Sequence, residues 1–299
     1  MDKTDIVLVQ LLLVNSRLSY AELAEKLGLS VNAVHKRIQL LIESGVIRKF
    51  YTKLGPMAAP FTQVFIWGAS NLNSFQGLPE KLANHGSIYW LALGGGKILY
   101  VGAYLKSIND LAELVSFVKE TAGMPEPTIG LVSAQPPSNV AASEAIDASL
   151  CDLDYKIIGC LKNNSRKPLS EVAEELGVAT KTVRRRLNRM INNYLIELSV
   201  EWYPDASNDI ITILELRSKS DANSNLAFQI FKSYSPNMLF FWSYANISNT
   251  TTFALWTNTM KELQSIRESL EKEPGVAYVA PNILYVGYIF KTWRDDIRK

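Results

Sequence analysis

Two stretches of this 299-residue chain concentrate side chains that donate hydrogen bonds to phosphates and to the edges of base pairs. One contains Lys181, Thr182, Arg184, Arg185, Arg186, Asn188 and Arg189; the other contains Asn32, His35, Lys36, Arg37 and Gln39. Lysine and arginine neutralise phosphates and release their counterions, whereas guanidinium and amide groups also match the donor and acceptor pattern of individual bases. That chemistry requires a rigid rod that fits the major groove and shows these groups on the face it does not use for packing. The intervening apolar residues supply such a rod. Val34, Ile38 and Leu41, and likewise Val183, Leu187, Met190 and Ile191, fall at helical spacing and predict a buried stripe.

The elements that would hold these helices occur twice. Asn15-Ser16-Arg17 recurs as Asn164-Ser165-Arg166, an offset of 149 residues, and the match runs on without a gap through 21–28 and 170–177. In each copy a first apolar series, Leu8, Val9 and Leu12 or Ile157, Ile158 and Leu161, predicts an amphipathic helix. Ser19 followed by Glu22 reads as a capping box opening a short second helix. Gly28 ends that helix in a tight turn, Ser30 caps the third helix, and Gly45 closes it. The run 46–51 then has strand composition, so each copy describes a helix-turn-helix with a wing. In the second copy Ala179 stands at the position of Ser30 and Tyr194 at that of Gly45, which removes a cap and a turn residue. Glu174 and Glu175 are placed to hold a recognition-helix arginine, and Arg37 and Arg186 adjoin the packed stripe.

Asp5, Leu23-Ala24, Leu27-Gly28-Leu29-Ser30, Val34 with Arg37-Ile38, and Gly45-Val46-Ile47 together resemble the leucine-responsive/asparagine-responsive (Lrp/AsnC) regulators. Each helix-turn-helix is followed by a β-α-β-β-α-β order. In the first copy, strands are expected at 62–70, 88–93, 98–105 and 128–132, with helices at 78–84 and 109–119; in the second, strands at 210–216, 238–244, 252–256 and 276–286, with helices at 222–231 and 260–270. This order resembles the ferredoxin-like sensing and assembly domain of the same family. The expected class is therefore α+β, a tandem of two winged helix-turn-helix domains, each with its αβ domain. The expected boundaries are 1–56, 61–134, a linker at 135–150, 151–204, 208–290 and a C-terminal tail at 291–299, mixing aromatic and basic residues. The resemblance implies a fused dimer, with self-association through the αβ domains.

That resemblance also implies double-stranded DNA as partner and transcription regulation as the role. The expected DNA-binding residues are Asn32, His35, Lys36, Arg37, Arg48, Lys49, Lys181, Thr182, Arg184, Arg185, Arg186 and Arg189. Residues 31–53 carry a net charge of +4 and 180–202 a net +3, but the first copy puts three of its five cations in the wing, whereas the second puts all five in the helix. An asymmetric operator is expected. A small-molecule effector such as an amino acid is implied at the loop Gly94-Gly95-Gly96, although a plain hairpin loop also accounts for those glycines. The aromatic residues Phe240, Phe241, Trp242, Tyr244, Phe253 and Trp256 fit a pocket lining, a sheet core or a subunit interface.

Composition narrows the alternatives. A net charge of +2 makes any basic surface local, and 47% hydrophobic with 20% charged residues is ordinary for a globular protein. The apolar stretch 6–14 is about half the length a bilayer span needs, so a soluble, cytoplasmic protein is expected. Cys151 and Cys160, the only cysteines, have no second pair with which to make a zinc site. The same tandem plan is similar to that of siroheme decarboxylases, whose chemistry would call for histidines in the αβ domains. The chain has only His35 and His85. Neither cofactor, metal nor enzymatic activity is expected; a tetrapyrrole (siroheme) decarboxylase-like enzyme on the same tandem fold and a non-DNA-binding assembly protein are the alternatives.

Overall fold

A computed structural model describes residues 1–133 and 149–296; the expected linker lies, up to position 148, outside the described residues. In chain order the elements are α1 (Lys3–Val14), α2 (Tyr20–Leu27), α3 (Val31–Glu43), β1 (Ile47–Leu54), β2 (Thr62–Ala69), α4 (Leu78–Ala83), β3 (Ile88–Gly94), β4 (Ile98–Leu105), α5 (Leu111–Ala122) and β5 (Thr128–Leu131). The second copy contributes α6 (Asp152–Leu161), α7 (Leu169–Leu176), α8 (Thr180–Asn192), β6 (Ile196–Trp202), β7 (Ile210–Ser218), α9 (Leu226–Ser233), β8 (Met238–Ser243), β9 (Thr250–Thr257), α10 (Met260–Glu271) and β10 (Val276–Ile289). Like copies gather together, so the described residues form two compact units rather than four. One holds 7–61, 149–203 and 293–296; the other holds 1–6, 62–133 and 204–292.

In the helical unit each copy packs three short helices on its apolar stripe. Leu8, Val9, Leu12, Leu23, Val34 and Ile38 are buried in the first copy, and Ile157, Ile158, Leu161, Val172, Val183, Leu187 and Met190 in the second. Both capping-box bonds of Ser19 and Glu22 are made. Gly28 and Gly177 take φ of 64° and 63°, the left-handed conformation that the turn before α3 and α8 demands. Tyr194 adopts φ 53° at the position where the first copy has Gly45, and β6 still begins in the register of β1.

The wing strands do not fold into hairpins of their own. β1 pairs antiparallel with β6, placing Phe50 opposite Val200 and Thr52 opposite Leu198. The repeated Asn-Ser-Arg motif sits at the same junction. Ser16 and Ser165, both fully buried, share a 2.6 Å hydrogen bond. The Arg17 guanidinium donates to the carbonyls of Ser165 and Lys167, and Arg166 reciprocates on those of Ser16 and Leu18, at 2.8 and 3.0 Å. Such exchange of identical contacts marks an isologous interface, here built inside one chain. The C-terminal tail locks onto this ribbon through a single turn at Trp293–Asp295. There the buried Arg294 donates to the Leu54 carbonyl and to Glu197, both at 2.7 Å.

In the αβ unit the strand order β5-β2-β4-β3-β10-β7-β9-β8 is the ferredoxin-like order twice over, fully antiparallel. β10 runs to 14 residues because it serves two partners, β7 along its first part and β3 along its last. The outer strands also meet. Val132 bridges Tyr244, the Ala245 amide donates to the Leu131 carbonyl, and Asn246 bonds the amide of Leu131 and the carbonyl of Ile129. The fourth strand of each copy thus lies on the second strand of the other, closing the sheet into a ring.

Strand alternation then sorts the side chains into two layers. Val64, Ile66, Leu99 and Val101 face α4 and α5, while Leu214, Leu216, Phe253 and Leu255 pack with Ile230 of α9 and Leu263 of α10. The opposite face carries aromatic residues of both copies. Phe65 stacks on Trp242 at 5.0 Å between ring centroids and on Trp90 at 5.8 Å, and Trp67 stacks on Tyr244 at 5.3 Å. Trp242 and Tyr244 therefore belong to the join between the sheets, and Phe241 and Phe253 to the helix-facing core.

Candidate nucleic-acid interface

Both third helices show a continuous exposed stripe opposite their packed face. On α3 it consists of Asn32, His35, Lys36 and Gln39, and on α8 of Lys181, Arg184, Arg185 and Asn188. These are positions i, i+3, i+4 and i+7, so four donors line one side of each rod. Thr182 is half-buried at the flank of α8. The His35 ring lies 5.1 Å from that of Tyr20, which fixes its side of the helix. In the first wing Arg48 is exposed and stacks over the Tyr203 ring at 3.7 Å, and Lys49 is half-buried.

Arg186 and Arg189, expected to contact DNA, turn instead towards α6. Arg186 donates to Asp154 Oδ1 at 3.1 Å and Arg189 to Asp154 Oδ2 at 2.8 Å, with further bonds to Cys151 Sγ and the Ser149 carbonyl. Asp154 is fully buried. Burial alone would raise the Asp154 carboxyl, but the Cys151 amide and side chain and the two arginines outweigh it and hold the group below the ordinary carboxylate range. The carboxylate that ties down these arginines is therefore on α6 and not in the second helix, where Glu175 pairs with Lys167. One signal in the sequence pointed there: Asp154 is the repeat of Asp5, a residue of the family signature. Arg37, at the matching place on α3, is likewise only half-exposed and partnered.

The helix starts differ in strength. Ser30 Oγ accepts the Ala33 amide at 3.2 Å, whereas Ala179 at the same place offers α8 no side-chain cap and Thr180 does not replace it. Ala179 nevertheless has the extended backbone of a cap residue, φ −70° and ψ 139°. Ala179→Ser is expected to stabilise the helical unit by about 1 kcal/mol, read as a raised thermal midpoint.

The loop Gly94-Gly95-Gly96 is held by the second copy. Asn282 of β10 accepts from the Gly95 amide at 2.7 Å and donates to its carbonyl at 3.1 Å. A Cβ on Gly94 would stand 2.4 Å from Asn282 Oδ1, so the glycine permits this close approach. Asn282 thus ties this loop to the second copy. His85 packs on Phe117 at 4.9 Å and accepts the Ser87 amide, with burial pushing its pKa down. Among the described residues no group of three His, Cys, Asp or Glu is placed to hold a metal, and no helix is long and apolar enough to cross a membrane.

Residues 1–48 match the winged helix-turn-helix DNA-binding model, and residues 151–191 match the AsnC-type helix-turn-helix domain. An uncharacterised HTH-type transcriptional regulator of Pyrococcus furiosus is 33% identical over 141 residues, covering 46% of this chain and 95% of that protein. The chain belongs to the Lrp/AsnC family of helix-turn-helix regulators. The HTH-type transcriptional regulator LrpA of Pyrococcus horikoshii is 27% identical over 117 residues, covering 38% of this Lrp/AsnC chain and 83% of LrpA. A relative whose near-complete length matches under half of this chain fits a tandem member, as the two family-model matches do. Over its whole length this Lrp/AsnC chain shares a fold with the siroheme decarboxylase NirDL: TM-score 0.61, 10% identity, 98% of this chain and 94% of that one.

Proposed function

We propose that this Lrp/AsnC chain is a sequence-reading double-stranded DNA-binding transcription regulator that acts as a pseudo-dimer, each copy standing in for one subunit. The observation that carries this reading is the pair of exposed donor stripes on α3 and α8, each on a helix anchored from behind by its apolar stripe. Closure of the αβ ring uses within one chain the surfaces that the family resemblance assigns to subunit assembly, and pairing of β1 with β6 and reciprocal bonding of Arg17 and Arg166 join the two copies in the helical unit. Charge in the stripes supplies salt-dependent affinity, and their amide and guanidinium donors supply choice of sequence.

Fluorescence anisotropy with the protein's own promoter fragment and a scrambled duplex, across a salt series, tests the proposal. Tighter promoter binding that weakens with salt is expected. In Arg184→Ala/Arg185→Ala the slope of log K against log salt should fall by up to about 2, one unit for each phosphate no longer neutralised. Absence of binding at low salt would overturn the reading.

A further inference from the structure

We infer that the two recognition helices read half-sites of different base chemistry, α8 a guanine-bearing one and α3 an A·T one. This rests on the DNA-reading function proposed above. The repeat aligns Asn32 with Lys181, His35 with Arg184, Lys36 with Arg185 and Gln39 with Asn188, and all eight side chains are exposed. Each comparison is therefore between groups presented in the same way by equivalent helices.

The α8 stripe holds three cations in four positions. Arginine and lysine donate to guanine O6 and N7, the acceptor pair that only guanine shows in the major groove. On α3 the two ends of the stripe are amides, Asn32 and Gln39, whose paired donor and acceptor match adenine N6 and N7. Beside Asn32, at the helix start where base contacts concentrate, Val31 is 47% exposed, an apolar group suited to a thymine methyl. The sequence alone blurs this contrast, because four arginines on α8 cannot all face bases. The Asp154 clamp removes Arg186 and Arg189, leaving Arg184 and Arg185 as the guanidinium pair directed outwards.

Selection from a fully randomised duplex pool by the full-length chain tests this inference. Enriched sites should carry two unlike half-sites in one fixed order, one with guanines and one of A·T pairs. Changing a selected guanine to adenine should weaken binding about ten-fold or more. Lys181→Asn/Arg184→His/Arg185→Lys/Asn188→Gln, which installs the whole α3 stripe on α8, should shift that half-site from guanine towards A·T pairs and leave the other half-site unchanged. A palindrome of equal half-sites, or a variant whose preference is unaltered, would overturn the inference while leaving DNA reading intact. No enrichment of any sequence would overturn the DNA-reading function and this inference with it.

Discussion

Phe65→Ala is expected to destabilise the αβ unit by about 4 kcal/mol, the scale of emptying a large aromatic site in a packed core. Phe65 is fully buried and its ring neighbours come from both copies: Trp67, Trp90 and Tyr100 from the first, Trp242 and Tyr244 from the second. The cavity would open at the join between the two four-stranded halves, lined by rings of both copies. Stacked and tilted aromatic pairs add about 0.5–1.5 kcal/mol each beyond area burial, so Phe65→Leu should recover only part of the loss. Urea unfolding followed by tryptophan fluorescence reads the change directly, since Trp67, Trp90 and Trp242 border the ring. A midpoint displaced by less than the equivalent of about 1 kcal/mol would show that this layer does not hold the halves together.

Asp154→Asn should cost the helical unit about 3 kcal/mol near neutral pH, because two guanidinium groups lose the one carboxylate they share. The dependence on pH has a definite sign. A carboxyl whose folded pKa lies below its unfolded value, ordinarily about 3.9, contributes its full stabilisation above that value and loses it as pH falls through the folded pKa. The gap between wild type and variant should therefore be widest above about pH 5 and narrow on acidification. Thermal midpoints across that range measure it; a gap that stays constant with pH would mean that the clamp acts by shape and not by charge.

What could be read from the sequence follows the range of the interactions. The spacing of Val34, Ile38 and Leu41, and of Val183, Leu187 and Met190, encodes a buried stripe locally, and those residues are buried. The helices expected at 109–119 and 222–231 start later in the structure, because Ile108–Asp110 forms a 3-10 turn and α9 begins only at Leu226. Asn282 on the Gly95 backbone spans 187 positions, and Ser16 on Ser165 spans 149. No periodicity reports such partners. The Asn-Ser-Arg motif announced the duplication without announcing that its two copies touch. Arg186 and Arg189 show the same limit: on a helix wheel they extend the basic face, and the approach of α6 is what brings Asp154, the repeat of Asp5, against them.

The antiparallel ring formed by two tethered copies has a thermodynamic consequence. A pair of separate subunits dissociates on dilution, and each parted subunit would expose an aromatic face and two open strand edges, which are templates for aggregation. Here the complementary edges of β3 and β10, and of β5 and β8, belong to one molecule. Their pairing is a first-order process at an effective concentration of about millimolar, so the proportion of paired copies is the same in a crowded solution as at a few molecules per cell.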